Sequence, residues 1–213
     1  MLPVCAALAV TGLMSAGPPV ATAPPLFVES ASAAGLDFVH VNGATGEYYI
    51  AEQMGAGAAL IDYDADGDLD VFLVQGGPLG SERGQTGVRP GSDRGQTPPA
   101  GHPSSRLFRN DVDASGRLRF TDVTDRAGVG LRAYGMGAAV ADYNGDGHAD
   151  LLVTTFGKET LYRNNGNGTF SDVTAEASIG DDLWSTSASF LDYDRDGHLD
   201  LFVANYLDFT IAT

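Results

Sequence analysis

One nine-residue pattern constrains this chain more than any other feature. It runs Asp-x-Asp/Asn-x-Asp-Gly-x-x-Asp and occurs as DYDADGDLD from Asp62, DYNGDGHAD from Asp142 and DYDRDGHLD from Asp192. An apolar, β-rich run follows each copy (VFLV, LLVT, LFVA). From Asp142 to Asp192 is 50 residues, whereas from Asp62 to Asp142 is 80. That longer interval holds residues 78–105, a 28-residue run with no aromatic, a repeated RGQT and much Pro, Gly, Ser and Arg. It reads as a disordered loop insertion, and without it the step is 52 residues. A chain that repeats at such a step is built from stacked copies of one supersecondary unit.

Other features keep the same step. RLFRNDVDASGRLRFTDVTDRAGVG, from Arg106, matches TLYRNNGNGTFSDVTAEASIG, from Thr160, and Phe120 and Phe170 are 50 residues apart. A weaker copy, LFVESASAAGLDF, puts Phe27 where those phenylalanines stand. Ahead of each acidic loop lies a small-residue apolar stretch (GAGAALI, GMGAAVA, STSASFL) that lets an inner strand crowd toward an axis. A large residue opens each stretch: Met54, Tyr134 and Trp184. Each period reads as four short strands, at 138–141, 151–154, 161–163 and, after the turn NNGNG, 170–173. Such a unit is the pattern of a β-propeller blade, which must stack on neighbours because one sheet cannot bury both faces. The expected fold is therefore all-β, a β-propeller of four-stranded blades over residues 26–213. Three loops and a degenerate entry unit give about four blades, fewer than most closed propellers, so a partial propeller is expected.

The formal charge is −16, with 22 Asp against 6 Glu. Asp favours turns because its short side chain bonds nearby backbone, so the skew fits strands joined by tight turns. An acidic surface argues against nucleic acid or anionic membrane as a partner and suits cations. Cys5 is the single cysteine, which rules out an intramolecular disulfide and argues against a cysteine-based zinc site. Residues 1–25, an apolar run followed by small residues and prolines, read as a signal segment or disordered N-terminus, hence a secreted or surface protein. No other stretch is long enough for a transmembrane segment.

Carboxylates this close repel unless water or a cation lies between them. Calcium takes six to eight oxygens at about 2.3–2.6 Å, and alternate side chains of a tight loop can point inward to supply them. Gly67, Gly147 and Gly197 fill the sixth position, where a sharp turn is needed. The seventh (Asp68, His148, His198) offers its backbone carbonyl, and the ninth (Asp70, Asp150, Asp200) closes the loop as the next strand begins. A solvated acidic turn is the simpler alternative, and three copies in register weigh against it. An EF-hand fails, because position 12 is Leu73, Val153 or Val203 instead of Glu. Magnesium, which keeps its waters, fits less well. His148 and His198 read as solvated turn residues, and Trp184, Tyr63, Tyr143 and Tyr193 as packing residues. Asn167-Gly168-Thr169 is either a glycosylation sequon or a plain hairpin turn.

At these residues the chain resembles the FG-GAP/VCBS repeat family, the calcium-binding propeller repeats also found in integrin α-subunit heads. Through LDFVHVNGATGEYYIAEQMGAGAALIDYDADGDLDVFLVQG, LYRNNGNGTFSDVT and WSTSASFLDYDRDGHLDLFVANYLDF it is more closely similar to the cartilage acidic protein group, whose propellers accompany an ASPIC/UnbV domain. The literal Phe-Gly…Gly-Ala-Pro signature is replaced by GAGAA, GMGAA and TSAS. The resemblance implies calcium (Ca2+) ligands at Asp62, Asp64, Asp66, Asp68 and Asp70. It implies a second set at Asp142, Asn144, Asp146, His148 and Asp150, and a third at Asp192, Asp194, Asp196, His198 and Asp200. The reading that follows is an extracellular adhesion module that binds a protein or glycan. Since the sequence offers no nucleophile–base–orienter set, it is not read as an enzyme, with no catalytic residues. A propeller enzyme, a hydrolase or lyase with a central-channel site at residues such as His40, Glu47 and Glu52, is the alternative. A structural spacer beside a further domain is the other.

Overall fold

The computed structural model describes residues 27–44, 46, 48–77, 103–113, 115–180 and 183–206. The expected signal segment, Cys5, Glu47 and residues 78–102 of the expected insertion lie outside the described residues. The chain divides into two units, Met1–Ser30 and Ala31–Thr213. Of the first, residues 27–30 are described; they form no helix or strand, and Phe27 is exposed, so it is no counterpart of the strand phenylalanines.

The second unit is mostly β. Strands β1 (Ala58–Ile61), β2 (Asp70–Leu73), β3 (Arg106–Asn110) and β4 (Phe120–Asp122) make one antiparallel sheet in chain order. Strands β5 (Gly135–Ala141), β6 (Asp150–Thr155), β7 (Thr160–Asn164) and β8 (Phe170–Asp172) make a second, and β9 (Ser185–Leu191) pairs with β10 (Asp200–Asn205). Each acidic loop closes the same hairpin, with Ile61 opposite Asp70, Ala141 opposite Asp150 and Leu191 opposite Asp200. Among the described residues the result is an all-β, propeller-like stack of two four-stranded blades and a β9–β10 pair that occupies the inner positions of a third.

Burial follows from stacking. Strand β6 (DLLVTT) is buried at every position because both its faces are covered. Leu151 and Val153 join Ile61, Phe72 and Leu107 in the core between the first two sheets. Leu152, pointing the other way, joins Leu161 with Ala188, Phe190 and Leu201 in the core between the second sheet and the β9–β10 pair. That is the period-2 alternation of a strand serving two cores. Strand β9, with one face open, is buried only at Ser185 and then alternates between half-buried and exposed.

The inner strands touch through their small residues. Gly57 N–H donates to the carbonyl of Met136 at 2.8 Å. A Cβ on Gly57 would lie 3.1 Å from the Gly137 Cα, and one on Gly137 would lie 2.9 Å from the Thr186 carbonyl oxygen. Small side chains are therefore what permits this approach.

The entry segment departs from the degenerate blade expected of it. Among its described residues, 31–57 contain no strand, only the short helices α1 (Ala31–Ala34) and α2 (Ile50–Gln53). Its backbone is satisfied by side chains from the blades. Gln75 accepts from Val41 N–H at 2.7 Å and donates to the Val39 carbonyl at 3.0 Å. Tyr134 donates to the carbonyls of Asn42 and Ala51. Ala51 and Met54 then pack with Tyr134, Phe156 and Trp184, so the three large residues that open the inner strands share one cluster. Helix α3 (Thr124–Ala127) follows β4 and ends at Gly128 in the left-handed conformation.

Candidate functional site

Each acidic loop is folded by its own carboxylates. In the first, Asp62 accepts from the N–H groups of Asp66 and Gly67, both at 3.1 Å, and Asp66 accepts from Asp68 N–H at 2.9 Å. In the second, Asp142 accepts from Asp146 at 3.0 Å and Gly147 at 2.8 Å, and Asp146 accepts from His148 at 2.9 Å. In the third, Asp192 accepts from Asp196 at 3.2 Å and Gly197 at 3.1 Å, and Asp196 accepts from His198 at 2.8 Å. These Asx-type bonds are possible because the sixth-position glycines sit at φ of 91°, 90° and 89°. The fourth position is left-handed as well, at Ala65, Gly145 and Arg195, and only Gly145 has the residue type that advertises it.

The ninth carboxylate ties the loop to the sheet. Asp70 accepts from Tyr63 N–H at 3.0 Å and from Asn110 N–H, on β3, at 2.8 Å. Asp150 repeats this with Tyr143 at 3.1 Å and Asn164, on β7, at 2.7 Å. Asp200 accepts from Tyr193 at 2.9 Å but, among the described residues, has no third-strand donor, and it is exposed where Asp70 and Asp150 are fully buried. Burial pushes the Asp70 carboxyl up to about 6, partly opposed by its two backbone donors, and pushes Asp150 up in the same direction.

The first and third loops gather three carboxylates each. Oxygens of Asp62, Asp64 and Asp70 lie within 4.8 Å of one another, as do those of Asp192, Asp194 and Asp200. Asp66, Asp68, Asp196 and His198 stand outside these groups. In the second loop Asn144 takes the place of the third-position aspartate and donates to Asp146 at 2.9 Å, with its oxygen accepting from Asp146 N–H. One oxygen of Asp64 is buried without a hydrogen-bond partner, and burial, then Asp66, raises that carboxyl. An acceptor left in that state beside two further carboxylates fits a hard cation with oxygen ligands. These acidic clusters can hold a metal.

His148 is not simply solvated. A Cβ on Gly166, in the β7–β8 turn, would lie 2.4 Å from the imidazole Nε2, so the ring lies over that glycine. His198 is exposed. Of the residues considered for a central channel, Glu52 is buried and His40 is exposed.

Sequence reasoning missed Asn110 and Asn164. Asn164 donates to the carbonyls of its own loop's Ala149 at 3.1 Å and of Tyr63 in the preceding loop at 2.9 Å. Asn110 donates to Leu69 at 3.1 Å. Their signal was present in the repeated LFRN and LYRN. The repeated Asp-Val-Thr is explained likewise. Asp122 and Asp172 each fix a threonine hydroxyl, Thr124 or Thr174, which accepts from Leu107 or Leu161 N–H at 3.0 Å.

No curated protein matches the chain. The FG-GAP-like repeat matches it over residues 62–153 and again over 142–203, spans that contain all three acidic loops. With two thirds of its length covered by these matches, the chain belongs to the FG-GAP-like repeat family.

Proposed function

We propose that the chain is a calcium-binding, extracellular β-propeller module that binds a protein or glycan partner in an adhesive role, and that it is not an enzyme. Repeats of this family are typical of extracellular propellers that bind other molecules. The observation that carries the calcium reading is the buried, unpartnered oxygen of Asp64 among the converging carboxylates of Asp62 and Asp70. The ligands are side-chain oxygens at positions 1, 3, 5 and 9 of each loop, with the position-7 carbonyl: Asp62, Asp64, Asp66, Asp68 and Asp70, and their counterparts in the other two loops. When bound, the ion supplies positive charge between carboxylates that otherwise repel, and so fastens each hairpin. Export through residues 1–25 completes the reading.

A thermal melt of the full chain with about 1 mM calcium, then with chelator, tests it. Extracellular sites bind near 10⁻⁴ M, so each would add about 1.4 kcal/mol and three roughly 4. A rise of many degrees with calcium but not magnesium is expected. A folded protein whose melt ignores calcium sinks the reading.

A further inference from the structure

We infer that the outer edge of the first blade carries a binding cleft for an oxyanion, a sulfate, phosphate or carboxylate group borne by a small ligand. The cleft has a volume of about 730 Å³ and is lined by Arg106, Arg109, Arg126 and Arg132 together with Asp122 and Asp125. Four guanidinium groups against two carboxylates give it a net positive charge on a chain whose formal charge is −16. Six of the chain's twelve basic residues fall between 106 and 132, so the concentration is local. No cleft residue belongs to an acidic loop, and the inference stands apart from the calcium reading.

The arginines are not equivalent. Arg106 is paired with Asp122 at 3.1 Å and Arg109 with Asp111 at 2.8 Å, so their charge is already answered. Arg126 and Arg132 make no side-chain hydrogen bond or ion pair with any described residue, and both are exposed at the cleft. Arg126 is nonetheless positioned: its Nη2 abuts the β7–β8 turn of the next blade, 3.9 Å from where a Cβ on Gly168 would lie. Two free, forked donors at one concave, polar site match the planar two-oxygen edge of a carboxylate, sulfate or phosphate. Arginine also loses less hydration than lysine when it binds such a group.

The test is a titration of the full chain, followed by backbone amide resonances, with sodium sulfate, sodium phosphate and sodium acetate in separate arms. Sodium chloride holds ionic strength constant in each. At least one anion is expected to give saturable shifts centred on residues 121–126 and Arg132, and the anion that saturates at the lowest concentration identifies the group. Removing each free guanidinium by Arg126→Ala or Arg132→Ala is expected to weaken binding about tenfold or more, since charge-assisted bonds are lost. Arg126→Lys, which keeps the charge but loses the fork, is expected to weaken it less. Arg195→Ala, far from the cleft in sequence and outside its lining, should leave it unchanged. Shifts no larger than those of chloride, or equal affinity in the Arg126→Ala/Arg132→Ala protein, overturn the inference.

Discussion

Asn164, on the third strand of the second blade, donates to the carbonyl oxygen of Tyr63 at 2.9 Å, joining the acidic loop of one blade to the sheet of the next across 101 positions of sequence. Tyr63 is fully buried there, its ring stacked on Phe170 with centroids 6.5 Å apart. The equivalent Tyr143 is half-buried, and Tyr193 is 80% exposed, because no described blade follows the third loop. Loop order is thus partly supplied by the neighbouring blade.

Asn164→Ala removes two donated bonds, and with them the acceptor of Gly166 N–H at 3.0 Å. It is expected to cost about 2–4 kcal/mol in urea unfolding, since buried carbonyls and an N–H lose their partners. Asn110→Ala is expected to cost only about 1 kcal/mol, because Asn110 donates a single such bond and its own oxygen has no partner. Equal costs at the two sites would contradict a role in joining blades.

Asp64 and Asp70 separate cation binding from loop folding. Asp64→Asn removes a charge that burial, then Asp66, disfavours, on a side chain with one oxygen that has no protein partner. Its calcium-free melting temperature should hold or rise, while the first loop's share of calcium stabilisation, about 1.4 kcal/mol at 1 mM, disappears. Asp70→Asn behaves differently, because both carboxylate oxygens accept backbone N–H groups and an amide nitrogen would face one of them. A loss of about 1–3 kcal/mol is expected even in chelator. Calcium titration of both variants, with melts in chelator, distinguishes the roles.

The Tyr134 hydroxyl lies 2.8 Å from two carbonyl oxygens and shares its one proton between them. Burial, with Glu52 nearby, pushes its ionisation up from 10 to about 12. A raised folded value means that its contribution is complete below pH 10 and is lost as pH rises toward 12. Tyr134→Phe should therefore cost about 1–2 kcal/mol at neutral pH and flatten the decline in stability across that alkaline window. Unfolding curves at pH 8 and pH 11 for both proteins provide the check, and parallel declines would count against it.

Much of this architecture is legible in one dimension because it repeats. The acidic loops, the strands they join and the small inner residues each occur in register, and strands β5 to β8 fall where the spacing puts them. The entry segment was not legible. Its helix at Ile50–Gln53 is held by partners far along the chain, Tyr134 and Trp184 among them, and no local period encodes a cap made by other repeats. The arginine cleft escaped for a related reason, since Arg106, Arg126 and Arg132 meet only once β3, β4 and the turn after α3 are folded. Arg109 and Arg163 do recur in register, yet Arg163 approaches Glu176 no closer than 4.0 Å. Repetition specifies the scaffold, while what differs between copies requires the fold.

Gly137 tests whether close approach of the inner strands is a requirement or an incidental feature. A Cβ there would meet the Thr186 carbonyl oxygen at 2.9 Å and the Thr154 hydroxyl at 3.0 Å. Backbone on one side and a fully buried threonine on the other leave little room to relax. Gly137→Ala is therefore expected to destabilise by about 1–3 kcal/mol through overpacking between β5 and β9. Gly55→Ala, three residues ahead of β1 and with nothing near its added Cβ, is the matched control. It should be neutral, or more stable by about 0.4–1 kcal/mol because the unfolded chain loses freedom. Denaturant midpoints of the two variants decide the matter. If Gly137→Ala unfolds with the midpoint of Gly55→Ala, the inner strands have room to spare and small residues there are not what lets the blades stack.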